Sequence, residues 1–438
     1  MPPDLINAAL ARIAAVDVDT LPPRFATMFI SAAAGLCRMD HPAVARVLTR
    51  VVSLGSSVPQ DSLSKAINSL TRHKYLHAST LHSLFRNAVE AAEATPTTPR
   101  ILATNLHSMA RMRMSDESLF ARLAELQHAA SAHLSHPQDV SMTLYAVTHL
   151  FTASPTSINL LRLLVERHIP RVVESRLMSL HGLTFMLSSL AAVARHGHLR
   201  VAVDALLEFT ATMATQFSPR QTSIVLYAMH RLGRVRDDIS VPITASLATS
   251  LRDKTTFVRH DVAALLLLSV SRVSPPSNPC IPLLARRITP RANFRDLLWY
   301  LHACVRLGSY DASTVRKYLA LLDQENNAEN VNPLRYGPRA AYVLGALGKL
   351  QATECNTEGL QCRLQASIHV LSAQHIAAAM MGLALLGRQD RVVIRMLLER
   401  CAQIHPRMFE LQRRGAVVLV AMRRLGVTCA DIERRWGI

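Results

Sequence analysis

Apolar residues recur along this chain at the spacing of amphipathic helices, and one short phrase closes many of those helices. The phrase is an apolar stretch with a small residue, then a basic residue, then an apolar residue that is often followed by glycine. Its clearest copies are IVLYAMHRLG, WYLHACVRLG, VVLVAMRRLG and AAMMGLALLG, which end at Gly233, Gly308, Gly426 and Gly387. Apolar positions three and four residues apart predict α-helices. Glycine after the last turn predicts a left-handed stop.

Eleven copies of this phrase fill the chain at a step of about 38 residues. That step fits two helices of about 13 residues with short connections. In the sixth copy, the pattern predicts a first helix over 221–232 and a second helix that carries Ile239, Ile243 and Leu247 on one side. Such a hairpin has more apolar surface than it can bury alone. We therefore predict an all-α fold, an α-solenoid of about eleven stacked helical hairpins of HEAT or armadillo type.

The repeat leaves no room for a second domain, so residues 1–438 are predicted to form a single helical array. The steps between copies are uneven, and shorter proline-rich breaks lie between units at 94–99 and 274–282. The most polar break is DQENNAENVNPLRYGP at 323–338, which predicts an inserted loop.

The position before the closing residue of each copy is basic in nine of eleven copies, and we call these nine residues the basic column. They are Arg38, Arg72, Arg111, Arg195, Arg231, Arg272, Arg306, Lys349 and Arg424; the two exceptions are His149 and Leu385. A cation in the last turn of a helix complements the helix dipole by about 0.3–1 kcal/mol. Equivalent positions in stacked repeats would also form a line of charge that suits a polyanion. The sequence leaves both interpretations open.

The net charge favours an acidic partner. Lys and Arg number 49 against 31 Asp and Glu, which gives +18. Helix capping explains the basic column but not this excess, and nucleic acid is the usual partner of such a chain. Two further groups are either solvated helix faces or parts of a phosphate-binding groove. They are Arg286, Arg287, Arg291 and Arg295 in one stretch, and Arg413 and Arg414 near the end.

The sequence contains no motif that predicts catalysis. The segment GALGK at 345–349 lacks the spacing and the hydroxyl residue of a phosphate-binding loop. The seven cysteines show no C-x-x-C spacing, and there is no H-E-x-x-H metal motif. No apolar run approaches the roughly 18 residues of a membrane span. We therefore expect no enzyme activity, cofactor, bound metal or membrane insertion.

These phrases, at their step near 38 residues, resemble the organellar α-solenoids of the octotricopeptide, heptatricopeptide and FAST-kinase-like repeat families. The Ala-, Arg-, His- and Met-rich style is most similar to kinetoplastid mitochondrial helical-repeat proteins, including components of the RNA-editing substrate-binding complex. The resemblance implies a protein of the mitochondrial matrix that binds single-stranded RNA, either guide RNA or messenger RNA. It also implies that other subunits of a multiprotein complex are partners.

Two alternatives remain open at this stage. The first is a mitoribosomal or ribosome-assembly protein, which would share the RNA contact. The second is a pure protein scaffold of HEAT or armadillo type that holds an acidic segment of a partner. The position of the positive side chains separates RNA binding from scaffolding, because an RNA track needs them aligned along one face.

Overall fold

The computed structural model describes most of the chain and shows only helices and their connections in that part. The described residues are 8, 11, 18–36, 39–73, 75, 77–114, 116–150, 154–194, 199–253, 258–291, 293–326, 333–388, 390–405, 408, 414–430 and 432. Every regular element within these ranges is helical. The all-α prediction is confirmed.

The chain divides into two compact units, Met1–Ala214 (unit 1) and Thr215–Ile438 (unit 2). The helices of unit 1 are α1 Pro23–Gly35, α2 Pro42–Leu54, α3 Gln60–Arg72, α4 Ala78–Ala94, α5 Pro99–Met112, α6 Glu117–Ala129, α7 Pro137–His149, α8 Pro155–Leu163, α9 Ile169–Glu174, α10 Leu180–Ala192 and α11 Arg200–Thr212. A π-helical turn, Leu164–His168, joins α8 to α9.

Unit 2 continues the alternation of helices in its own array. Its helices are α12 Pro219–Arg231, α13 Asp237–Arg252, α14 His260–Val273, α15 Cys280–Ala285, α16 Phe294–Leu307, α17 Ala312–Asn326, α18 Pro333–Lys349, α19 Glu358–Ala366, α20 Ala373–Leu386, α21 Arg391–Gln403 and α22 Gly415–Leu425. Short 3-10 turns lie at Val18–Thr20, Gly55–Ser57, Ala130–His133 and Ile368–Val370.

The first helix of each hairpin, which we call the A helix, packs beside the A helix of the next hairpin. In unit 1 the row is α1, α3, α5, α7 and α10, and in unit 2 it is α12, α14, α16, α18, α20 and α22. The second helices, or B helices, lie behind these rows. The described ranges thus contain eleven A helices, one for each predicted repeat. This stacking of helical hairpins confirms the α-solenoid class.

The hairpin predicted from the sixth repeat forms with small shifts of its ends. Helix α12 begins two residues earlier than predicted, because Ser218 and Gln221 form a reciprocal capping box and Pro219 occupies the first helical position. Gly233 takes a φ of +66° after the last turn, as its place in the phrase predicted. The apolar face of α13 buries Ile239, Ile243 and Leu247 as expected, and the hairpin is therefore encoded locally.

The predicted loop at 323–338 is wrong at both ends. Helix α17 continues to Asn326, and α18 begins at Pro333. A proline at the first helical position costs nothing, because its missing N–H would have no partner there. Pro338 lies inside α18. Only residues 327–332 separate the two helices, and they lie outside the described residues.

The glycines of the GALGK segment serve close helix packing. A Cβ on Gly382 of α20 would lie 2.4 Å from the carbonyl oxygen of Leu344, and a Cβ on Gly348 would lie 2.8 Å from the Cα of Gly382. Helices α18 and α20 therefore approach through backbone contact, which only glycine permits.

Two predictions concern the chain as a whole. The single array over residues 1–438 stays a prediction. Among the described helices, none is both long enough and apolar enough to span a bilayer.

Candidate nucleic-acid interface

The described residues of the basic column all lie in the last turn of an A helix. They are Arg72 (α3), Arg111 (α5), Arg231 (α12), Arg272 (α14), Arg306 (α16), Lys349 (α18) and Arg424 (α22). Arg38 and Arg195 lie outside the described residues. Since the A helices of each unit pack side by side, the same position in each helix falls on one edge of the row. We call this the column edge.

Two histidines show how close the cations of unit 2 lie to one another. Burial lowers the pKa of His230 in α12, and the charges of Arg272 and Arg306 lower it further. Burial also lowers the pKa of His302 in α16, and Arg272 and Lys349 add to that shift. Arg231 adds to the shift of His230, and Arg272 is the one cation that acts on both imidazoles. Like charges have been brought together here, which is unfavourable without an anion.

The column side chains have no acidic partner within the described structure. Six of the seven are exposed, and Arg272 is half-buried. None of the seven forms a hydrogen bond or an ion pair with another described residue. Acids elsewhere are matched with other arginines, as in the bidentate contact of Arg122 with Glu93. The column therefore supplies positive charge that no acid in the described part of the chain neutralises.

The sequence left helix capping open as a role of the basic column. In the structure, other arginines donate hydrogen bonds to the carbonyl groups at helix ends. Arg287 donates to the carbonyl oxygens of Leu251 at 2.7 Å and Asp253 at 3.2 Å, at the end of α13. Arg388 donates to the carbonyl oxygen of Thr353 at 3.0 Å. The column cations can still complement the helix dipoles, but they donate to no described carbonyl group.

The predicted group at 286–295 lies away from the column edge. It spans the connection from α15 to the first turn of α16, where A helices begin. Arg286 and Arg291 are exposed, whereas Arg287 caps α13. The guanidinium carbon of Arg295 lies 4.9 Å from the ring centre of Trp299. Two members of this group thus have structural contacts.

The predicted group near the end is only partly described. Arg413 lies outside the described residues. Arg414 precedes α22 and is half-buried. Burial raises the pKa of Tyr342 in α18, and the charge of Arg414 opposes that shift. Arg414 therefore lies near the neighbouring A helices rather than at the column edge.

Aromatic and imidazole rings lie beside the basic column, and the sequence analysis did not identify them. Four of them precede a column position, or its exception at 149, by four residues: His107, Tyr145, Tyr227 and His302. Residues four apart lie on one side of a helix, so each ring lies one turn from the column edge. All four are half-buried. Reading the position four residues before each column member would have found them.

Comparisons with known proteins show no family for this chain. No protein-family profile matches the sequence, and no curated protein sequence is significantly similar to it. One solved structure that matches is a "Circular tandem repeat protein with novel repeat topology and enhanced subunit contact surfaces". It is 13% identical, with 95% of this chain and 96% of that chain covered and a TM-score of 0.23. The fold class therefore stands on the helices of this chain itself.

Proposed function

We propose that this chain is a non-catalytic helical-repeat protein that binds single-stranded RNA along the column edge of its A helices. The observation that carries the proposal is the group Arg231, Arg272, Arg306 and Lys349 on successive A helices of unit 2. Arg231, Arg272 and Arg306 act on His230, and Arg272 and Lys349 act on His302. None of the four is paired with an acid in the described structure.

Phosphate is the anion that suits such an edge. Neighbouring A helices pack about 8–10 Å apart, so the cations repeat along the row. A flexible polyanion can follow such a repeat, and each neutralised phosphate releases bound counterions into solution. The excess of +18 over the whole chain adds a long-range attraction for the same ligand.

Unpaired RNA fits better than a duplex because of the rings beside the column. Bases of a single strand can stack on aromatic side chains and on guanidinium planes, whereas paired bases are hidden in the helix. Tyr227 and His302 each lie one turn from a column cation. This mixture of charge and ring surface is typical of grooves that bind single strands.

The biological setting proposed from the resemblance is more specific. We infer a subunit of a mitochondrial ribonucleoprotein complex that acts in RNA editing or processing and holds guide RNA or messenger RNA. A mitoribosomal role would use the same edge. Isolation of the complex from mitochondria, with sequencing of the bound RNA, would separate these two settings.

A salt titration with matched variants tests RNA binding directly. The full chain is titrated with a short unstructured RNA, and fluorescence anisotropy is followed between about 50 and 200 mM salt. The triple variant Arg231→Gln, Arg272→Gln, Arg306→Gln should bind more weakly. Its plot of log affinity against log salt should be less steep by about 2, since each single-strand contact contributes about 0.7.

The control removes the same charge from the other end of the hairpins of unit 2. Arg220 lies at the start of α12, Arg252 ends α13, and Arg286 follows α15; all three are exposed. The triple variant with Gln at these positions should bind nearly as well as the unmodified chain. An equal loss of RNA affinity in both triple variants would show that the column contributes only through the overall charge of the protein. Absence of RNA binding by the unmodified chain would refute the proposal and leave a protein scaffold.

A further inference from the structure

Unit 1 contains a stack of four rings that spans two neighbouring A helices. The order is His149, Tyr145, Phe185 and His181, and we call this set the ring stack. Its centre-to-centre distances are 3.8, 4.8 and 5.9 Å, and the angles between successive planes are 25°, 14° and 20°. His149 and Tyr145 lie one turn apart on α7, and Phe185 and His181 lie one turn apart on α10.

A fifth ring fixes the middle of the stack from the side. His107 of α5 contacts Tyr145 and Phe185 edge-on, at 5.2 and 5.8 Å between ring centres. Burial, with smaller effects of Arg111 and His149, lowers the pKa of His107 to about 4. The ring is therefore neutral at physiological pH, and its edge-to-face contacts hold the two central rings parallel.

Packing between helices accounts for the two central rings but not for the two end rings. Tyr145 and Phe185 are half-buried and fill the seam between α7 and α10. His149 and His181 are exposed, so each end of the stack reaches solvent. Nδ1 of His149 also donates to the carbonyl oxygen of Tyr145 at 2.9 Å, which fixes that ring at the end of α7. His149 also occupies a position where nine of eleven repeats carry Lys or Arg. At this repeat, a planar ring stands where the pattern would place a cation.

Cations flank the stack at the column edge. The charge of Arg111 acts on His107, and that of Arg113 acts on His149. Arg113 ends α5 with a φ of +53°, a conformation that residues other than glycine rarely adopt. Four A helices of unit 2 stop instead at the glycines 233, 308, 387 and 426, whereas Gln351 takes a φ of +53° after α18. A guanidinium therefore lies beside His149 at a position where glycine would be easier to accommodate.

We propose that the ring stack is a nucleobase-binding site, in which unpaired bases stack on the exposed rings of His149 and His181. The adjacent phosphates would contact Arg111 and Arg113. The proposal rests on the proposed function and makes it more specific, because it assigns base contacts to unit 1. Stacking on ring faces accepts any base, so the site would favour unpaired RNA without reading its sequence.

Removal of the bases tests the site separately from charge. Two strands of equal length are compared, one a normal single-stranded RNA and one abasic, so that the number of phosphates is the same. The unmodified chain should bind the normal strand about tenfold more tightly, as expected for stacking of one or two bases. The fluorescence of 2-aminopurine in the normal strand should be quenched on binding.

The variant His149→Ala, His181→Ala should lose most of this preference and most of the quenching, while its affinity for the abasic strand stays unchanged. Both side chains are exposed, and the change removes one hydrogen bond, from His149 to the carbonyl oxygen of Tyr145, so the fold should tolerate it. His149→Phe, His181→Phe should restore the preference, because it keeps two rings. The matched control is His128→Ala, His133→Ala, which removes two exposed histidines at the end of the B helix α6. That control should behave as the unmodified chain.

The outcomes separate the two proposals. Tight binding of both strands with equal affinity would refute the ring stack as a base site and leave RNA binding by charge intact. An unchanged preference in the His149→Ala, His181→Ala variant would place base contact elsewhere and also refute the site. Absence of binding to either strand would refute the proposed function, and the base site with it.

Discussion

The guanidinium carbon of Arg272 lies 5.5 Å from the ring centre of Tyr227. Arg272 ends the A helix α14, and Tyr227 lies one turn before the end of the neighbouring A helix α12. The contact therefore joins two repeats and holds a half-buried guanidinium beside a ring at the column edge. An arginine held in this way loses less freedom when a phosphate binds.

This contact should be measurable as a coupling between the two residues. We expect a double-mutant cycle with Arg272→Gln and Tyr227→Leu to give about 0.5–1 kcal/mol, the value of a partly exposed cation–π contact. The measurement is denaturant unfolding of the four proteins. Strict additivity of the two changes would show that the contact does not contribute to stability.

Gly382→Ala should destabilise unit 2 by about 1–3 kcal/mol, because the new methyl group would press on the backbone of α18. The carbonyl oxygen of Leu344 lies 2.4 Å from the position of that Cβ, and a backbone atom cannot move aside as a flexible side chain would. Thermal unfolding measures the effect.

The control for this change is Gly35→Ala at the end of α1. A Cβ there would meet nothing within 4 Å, and alanine favours helix more than glycine does. This variant should be neutral or slightly more stable. A Gly382→Ala protein as stable as the Gly35→Ala protein would contradict the close approach of α18 and α20.

His107 should make unit 1 sensitive to acid. Its pKa falls from 6.5 to about 4 on folding, so the folded state favours the neutral ring. The contribution of His107 to the free energy of unfolding is fully present above pH 6.5 and declines as the pH falls toward 4. Below pH 4 it does not change further. The free energy involved is at most about 3 kcal/mol.

His107→Phe keeps a ring in the same place and removes the titration. Unfolding free energies of the two proteins, measured from pH 7 to 4, should therefore diverge in slope, with the smaller acid loss in the variant. Parallel pH profiles would show that His107 does not supply the acid sensitivity. Other histidines whose pKa burial lowers, such as His168 and His375, remain in both proteins.

Arg113→Gly should separate stability from binding. Glycine relieves the left-handed conformation but gains freedom in the unfolded chain, so we expect a net stabilisation of about 0.5–1 kcal/mol. RNA affinity should fall, because a cation beside His149 is lost. Gly308→Ala, at a φ of +69°, should instead destabilise the protein. A rise in both stability and affinity for Arg113→Gly would count against a role for this arginine in binding.

Much of the fold could be predicted because each hairpin is encoded locally. The closing phrase predicted the A helices, and the glycines at 233, 308, 387 and 426 stop them as expected. The predicted loop at 323–338 is wrong because polar composition favours a loop, whereas proline at 333 is well suited to the first position of a helix. The number of A helices in the described ranges agrees with the number of repeats because one phrase occurs in each.

The candidate site could be predicted only in part. The sequence placed Arg231, Arg272 and Arg306 at equivalent helix ends, which was enough to align them. It gave no sign that Arg287 caps a carbonyl group or that Arg295 lies against Trp299, since both contacts depend on side-chain direction. The sequence shows that residues 107, 145 and 227 carry rings. Their contacts could not be predicted, because they join helices that lie far apart in the chain.

The sequence alone determined the helices, their pairing into repeats and the surplus of positive charge, because these depend on residues close together in the chain. Tertiary structure decided which cations remain without an acid, which glycines hold two helices in backbone contact, and that His149, Tyr145, Phe185 and His181 form one stack. Such relations depend on distances between side chains of different repeats, and packing sets those distances only once neighbouring A helices lie side by side.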